Sequence, residues 1–103
     1  MRPDYSRTIP PAWQGIAEVF SALGDEHRQR ILLTFEQNET LTAGQLAEVS
    51  TLARPTVSHH LKVLREAGVL ESYRQGKEVY YRIRKDYLLT ALEAVMTYIR
   101  EEV

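Results

Sequence analysis

Hydrophobic positions along the 103-residue chain recur at spacings of three and four over most of its length and switch to alternation between residues 69 and 84. Trp13, Ile16, Ala17, Phe20 and Leu23 mark a first helix that begins near Ala12 and stops at Gly24. Asp25 is placed to cap a second helix, with Glu26 near the positive end of its dipole and Ile31, Leu32 and Phe35 as its apolar stripe. That pattern extends to about Asn38. Thr42 is the next N-cap, ahead of Ala43, Leu46, Ala47 and Val49 in a short third helix that ends around Ser50. Pro55 opens a fourth helix, where its missing N–H costs nothing and its fixed φ suits the first turn, and Gly68 closes it. Val69 to Gln75 then reads as a strand and Gly76-Lys77 as a tight turn. Val79, Tyr81 and Ile83 alternate with Tyr80, Arg82 and Arg84 in a second strand, giving a hairpin expected to be apolar inside and basic outside. Tyr87 to Val103 forms the last helix, with Leu88, Leu92, Val95 and Ile99 on one stripe and Leu89, Met96 and Val103 widening it. Residues 1 to 11 contain Pro3, Pro10 and Pro11 and no period, and read as a flexible N-terminal arm; residues 12 to 103 read as one domain.

The fourth helix carries the most information. At about 100° per residue, Val57, Leu61 and Leu64 fall on one side with Ala67 at the margin, whereas Pro55, Ser58, His59 and Lys62 point the other way. Two helices three or four residues apart, the second polar outward, make a helix-turn-helix. A hairpin directly after them, with Arg74 and Lys77 around its tip, is the order of a winged helix-turn-helix. The expected fold is therefore mainly α with a small β-hairpin: four helices, two strands and a fifth helix.

Charge changes the picture further. The formal net charge is only −1, but residues 51 to 85 hold Arg54, Lys62, Arg65, Arg74, Lys77, Arg82, Arg84 and Lys85 against Glu66, Glu71 and Glu78, a local excess of +5 on a body of −6. That asymmetry is the footprint of a nucleic-acid-binding surface. With no Cys there are no disulfides, thiolate metal sites or cysteine nucleophiles, which fits a reducing compartment. No apolar run reaches the roughly 20 residues of a membrane span and no secretory signal precedes the first helix, so a soluble, cytoplasmic protein is expected. No glycine-rich phosphate loop or nucleophile-base spacing points to an enzyme.

Candidate DNA contacts on the fourth helix are Arg54, Thr56, Ser58, His59 and Lys62. Short hydroxyls at a helix N-terminus suit phosphates, and outward polar side chains suit phosphates or base edges. His60, beside Val57 and Leu64, is shared between the DNA face and the core margin. Adjacent helix residues diverge, so His59 and His60 do not form a metal pair. Arg74 and Lys77 are candidate backbone contacts from the wing. His27, next to Asp25 and Glu26, reads as a solvated residue in an acidic first turn. Trp13, Ile16 and Phe20 match the broad stripe of Leu88, Leu92, Val95 and Ile99, which fits a dimer seam better than an apolar pocket.

The runs Leu23-Gly24-Asp25-Glu26-His27-Arg28-Gln29-Arg30-Ile31-Leu32 and Leu41-Thr42-Ala43-Gly44-Gln45-Leu46-Ala47 are followed by Val57-Ser58-His59-His60-Leu61-Lys62-Val63-Leu64-Arg65-Glu66-Ala67-Gly68-Val69-Leu70. With Arg74-Gln75-Gly76-Lys77-Glu78-Val79-Tyr80-Tyr81-Arg82-Ile83 they resemble, in order, the ArsR family of bacterial transcriptional repressors. The resemblance implies a homodimer built on the first and last helices, which binds a two-fold symmetric operator and leaves it when an inducer binds. It also shows a departure. Where arsenic- and cadmium-type sensors place cysteines in the third helix, this chain has Thr42 and Gly44. Where zinc-type sensors place histidines in the last helix, it has only Asp86, Glu93, Glu101 and Glu102. The expectation is a repressor of the branch without metal ligands, which includes autorepressors, with double-stranded DNA as partner and no cofactor. The rival reading is a winged-helix interaction module whose basic face docks an acidic protein. An inducer, if one acts, is left open between a small apolar molecule and a partner protein.

Overall fold

The computed structural model describes residues 1–103. Five helices, α1 (Pro11–Leu23), α2 (Glu26–Thr34), α3 (Ala43–Val49), α4 (Arg54–Glu66) and α5 (Lys85–Glu102), surround a sheet of β1 (Leu41–Thr42), β2 (Leu70–Gln75) and β3 (Glu78–Ile83). The caps read from the sequence are formed. The Asp25 carboxylate accepts from the Arg28 N–H at 3.1 Å. Thr42 and Gln45 make a reciprocal capping box, with the Gln45 N–H donating to Thr42 Oγ1 at 3.1 Å and the Thr42 N–H donating to Gln45 Oε1 at 2.8 Å. Before α1, Pro3–Ser6 makes one 3₁₀ turn, and Arg2 donates to the Tyr98 hydroxyl at 3.3 Å and to the Glu102 carbonyl at 3.1 Å.

The structure differs from the sequence reading at three places. α2 ends at Thr34 rather than near Asn38 because Phe35 turns extended, the Glu36 N–H donates to Glu39 Oε1, and Asn38 takes a left-handed φ of 59°. The turn delivers Leu41 and Thr42 to β3, where they pair antiparallel with Tyr81 and Tyr80 and make the sheet three-stranded, in the order β1-β3-β2. The hairpin's outer face is not basic. Register places Glu71 opposite Arg82, Tyr73 opposite Tyr80 and Gln75 opposite Glu78 on that face. Glu71 forms an ion pair with Arg82, and the two tyrosines stack at 5.4 Å. Arg74 instead shares the face of Leu70, Ser72, Val79, Tyr81 and Ile83.

α4 runs through the middle of the fold, packing on α1, α2, α3 and β2. Its Val57, Leu61 and Leu64 are 0% exposed, and they meet Val19, Leu46, Val69 and Leu70 in the same core cluster. The helix ends in a Schellman arrangement: the Gly68 N–H donates to the Arg65 carbonyl and the Val69 N–H to the Leu64 carbonyl, both at 3.0 Å, with Gly68 at φ +84°. Tyr87, at the start of α5, lies directly against this turn. A Cβ on Gly68 would stand 2.6 Å from Tyr87 Cε2, and one on Gly15 of α1 would stand 3.0 Å from the Tyr87 hydroxyl. The hairpin turn has the other left-handed glycine, Gly76 at φ +63°, where an added Cβ would meet nothing within 4 Å.

These two glycines provide an internal comparison. Gly76→Ala should cost about 1 to 2 kcal/mol for left-handed backbone alone. Gly68→Ala should cost more, because its methyl must also displace Tyr87. Urea unfolding of both variants checks this, and equal costs would show that the tyrosine contact carries no stability.

Candidate nucleic-acid interface

Burial of the apolar side of α4 fixes what its other side presents. Arg54, Thr56, Ser58, His59 and Lys62 are all exposed, and so are Arg74 and Lys77 at the hairpin tip. Residues 50–53 join α3 to α4. Ala53, the N-cap, offers no side-chain bond, so the positive end of α4 is left to external acceptors beside Thr56 and Ser58. The Arg54 guanidinium folds back over α3, with Nη2 3.7 Å from where a Gly44 Cβ would stand. Lys62 Nζ lies 3.9 Å from Glu66 Oε1 at an exposed i, i+4 position, a weak contact that leaves the ammonium available to a phosphate.

His60 is placed on the core side: at 8% exposure it is enclosed between α4 and the corner joining α1 to α2, and it is not part of the outward face. There it meets His27 and Arg28 of α2. His27, expected to be solvated, is half-buried and stacks on His60 at 5.9 Å, and the His59 ring, tilted, also lies 5.9 Å from that of His60. Arg28 Nη1 reaches His60 Nδ1 at 3.3 Å. Nothing in a single sequence signals that the histidines at 27 and 60 meet, since the contact depends on how α2 crosses α4. Burial pushes the His60 pKa below its ordinary 6.5, aided by the charge of Arg28 and by His27 and His59 and opposed by Asp25. The Asp25 carboxyl is held below its usual value chiefly by the Arg28 backbone N–H. No group of three or more His, Asp or Glu side chains is gathered at metal-binding spacing.

The terminal helices pack against each other and leave an apolar strip exposed. Ile16 is buried in the protomer core, Trp13 is half-buried and meets Tyr98 edge-on at 5.4 Å, and Leu88, Leu92 and Val95 are half-buried. Phe20 and Ile99, at 46% and 57% exposure, remain open, along with Leu89 and Met96. No helix is long and apolar enough to cross a membrane. A hollow of about 620 Å³ lies away from the strip, between residues 35–40 and the junction of β3 with α5, and is lined mostly by polar and charged side chains.

The arrangement is a winged helix-turn-helix in which α3 and α4 form the helix-turn-helix and β2 and β3 the wing. Comparison with known proteins agrees. A helix-turn-helix domain family matches residues 23–73. The transcriptional repressor SdpR of Bacillus subtilis is 31% identical over 83 residues, covering 81% of this chain and 91% of the relative. A solved ArsR-like transcriptional regulator from Rhodococcus sp. RHA1 superposes with a TM-score of 0.80 at 28% identity, covering 89% of this chain and 86% of the other. A homodimeric winged helix-turn-helix DNA-binding domain from Mycobacterium bovis shares the fold, with a TM-score of 0.69 at 24% identity over 87% of this chain and 83% of that one. The chain belongs to the ArsR family of winged helix-turn-helix, DNA-binding transcriptional regulators.

Because folded His60 resists protonation and unfolded His60 does not, the unfolded chain takes up this proton first as pH falls below 6.5. His60 therefore removes stability on the acid side of 6.5. His60→Asn should flatten the decline in urea midpoint between about pH 7 and 5; an unchanged pH profile would exclude His60 as its source.

Proposed function

We propose that the protein is a homodimeric repressor that binds a palindromic operator and works without a bound metal. The observation that carries this reading is the division of α4. One side is wholly committed to the core, and the other presents Arg54, Thr56, Ser58, His59 and Lys62 beside an uncapped helix N-terminus. In a two-fold dimer the two copies of α4 would enter successive major grooves about one helical turn apart. Thr56 and Lys62 would hold phosphates, Arg54, Ser58 and His59 would read base edges, and Arg74 and Lys77 would hold the flanking backbone. Family membership favours DNA over an acidic protein as the partner of this face. A cytoplasmic location follows from that role.

The dimer seam would be the apolar strip of Phe20, Leu89, Met96 and Ile99, continued by the partly buried Trp13, Leu88, Leu92 and Val95, with Ile16 supporting it from the core. Phe20→Glu or Ile99→Glu should shift the protein to monomer in sedimentation equilibrium while its circular dichroism stays helical. A monomeric wild type would remove the dimer from the reading.

Operator selection from random duplexes tests the DNA role, with enrichment of a palindrome as the expected result. If the dimer makes roughly six to ten phosphate contacts, its affinity should fall by about 10³ to 10⁵ between about 50 and 200 mM salt. Lys62→Ala and Lys77→Ala should weaken binding to all sequences, whereas His59→Ala should chiefly relax preference. An affinity insensitive to salt would refute the proposal.

A further inference from the structure

The Arg28 side chain hydrogen-bonds to both α1 and α4, and the proposed DNA face does not use it. Its Nε donates to the Ala22 carbonyl at 2.6 Å and its Nη2 to the Ser21 carbonyl at 3.3 Å, so the guanidinium satisfies two carbonyls in the last turn of α1 and complements the negative end of that helix. The remaining nitrogen, Nη1, meets Nδ1 of His60 at 3.3 Å. A guanidinium has no acceptor, so Nδ1 must accept, and His60 is neutral with its proton on Nε2. One side chain thus ties the end of α1, the first turn of α2 and the middle of the reading helix. His60 follows His59 directly and Ser58 by two positions, so a rotation of α4 that freed His60 would swing both outward residues.

We propose that the Arg28–His60 bond is a latch that fixes the rotation of α4 for operator binding, and that it opens when His60 takes up a proton. A proton on Nδ1 would set one donor against another and bring an imidazolium within 3.3 Å of a guanidinium. The charged and titratable groups that act on His60 are Asp25, His27 and Arg28 from the α2 side and His59 from its own helix; α1 contributes the Ser21 and Ala22 carbonyls already held by Arg28. Of these only Asp25 favours the proton, and its carboxylate is engaged by the Arg28 backbone N–H. Burial sets the ring against protonation, so the latch is closed near neutral pH and yields under acid.

This inference rests on the DNA-binding reading, and the experiment separates the two. Fluorescence anisotropy with the selected operator, at constant salt from pH 8 to 5.5, would compare His59→Gln with the double variant His59→Gln/His60→Asn. His59 is replaced in both variants so that the only histidine by which they differ is His60. Asn offers an oxygen near the position of Nδ1 and does not titrate. Each profile is referred to its own affinity at pH 8, and circular dichroism at each pH reports the fold. The single variant should lose affinity as pH falls through the depressed pKa of folded His60, which lies below 6.5, by up to about tenfold per pH unit, and the double variant should stay flat. Arg28→Lys should weaken operator binding at pH 8 with little change in non-specific binding. Nitrogen-15 chemical shifts of the His60 ring supply a readout independent of DNA: the Nε2–H tautomer is expected at neutral pH, and Nδ1–H would overturn the latch. Equal pH profiles for the two variants would also overturn it while leaving DNA binding intact. Failure of every form to bind duplex DNA at low salt and pH 8 would remove the DNA reading and the latch's role together.

Discussion

The burial of Val57, Leu61 and Leu64 is the constraint on which the rest of this structure depends. A surface helix that reads DNA could be attached to a domain by its ends, free to tilt. Here the helix proposed to read DNA is also the central core helix, packed by three other helices and a strand. Turning it far enough to redirect Ser58 and His59 would expose three fully buried side chains, each worth about 1.5 to 3 kcal/mol of burial. The outward face is therefore preorganised: its side chains retain rotamer freedom, but the axis that carries them does not.

Preorganisation continues at both ends of α4. Its C-terminal turn is closed by two backbone hydrogen bonds around a left-handed glycine, and an aromatic ring lies against that glycine. Along its inner edge a guanidinium connects it to the neighbouring helix corner. The N-terminal end is different, with no side-chain cap. The unsatisfied end of the helix is thus the end next to the proposed phosphate contacts, so that a ligand can complete what the protein leaves open. Stability and recognition divide the same thirteen residues between them.

Most of this was legible in the sequence because it is local. Asp25 and Thr42 announce their helices through short-range capping, Gly68 and Gly76-Lys77 through backbone chemistry, and α4 through a period that separates apolar from polar positions. The features that escaped were non-local or too short to have a period. β1 is two residues long and exists only because β3 is there to receive it. The outer face of the hairpin looks basic as long as Arg82 is counted without its cross-strand partner Glu71. The period of α4 brings His60 to the edge of the apolar stripe, but its meeting with Arg28 and His27 joins residues more than thirty positions apart, and no spacing encodes it. Ile16 illustrates a related ambiguity: a stripe on a terminal helix can face its own core or another subunit, and periodicity alone does not distinguish them.

The Tyr87 hydroxyl fills the space beside Gly15 and its ring edge the space beside Gly68, so three distant positions share one small volume. In evolutionary terms these sites are not free to drift separately. A larger residue at either glycine demands a smaller ring, and loss of the ring leaves space that only larger neighbours can fill, with position 68 barred from that repair by its backbone. Correlated substitution among 15, 68 and 87 across relatives would be the historical trace of a mechanical linkage. The same side chain that seats α5 on α1 also braces the C-terminal end of α4, so a change in how the terminal helices pack would be transmitted to α4.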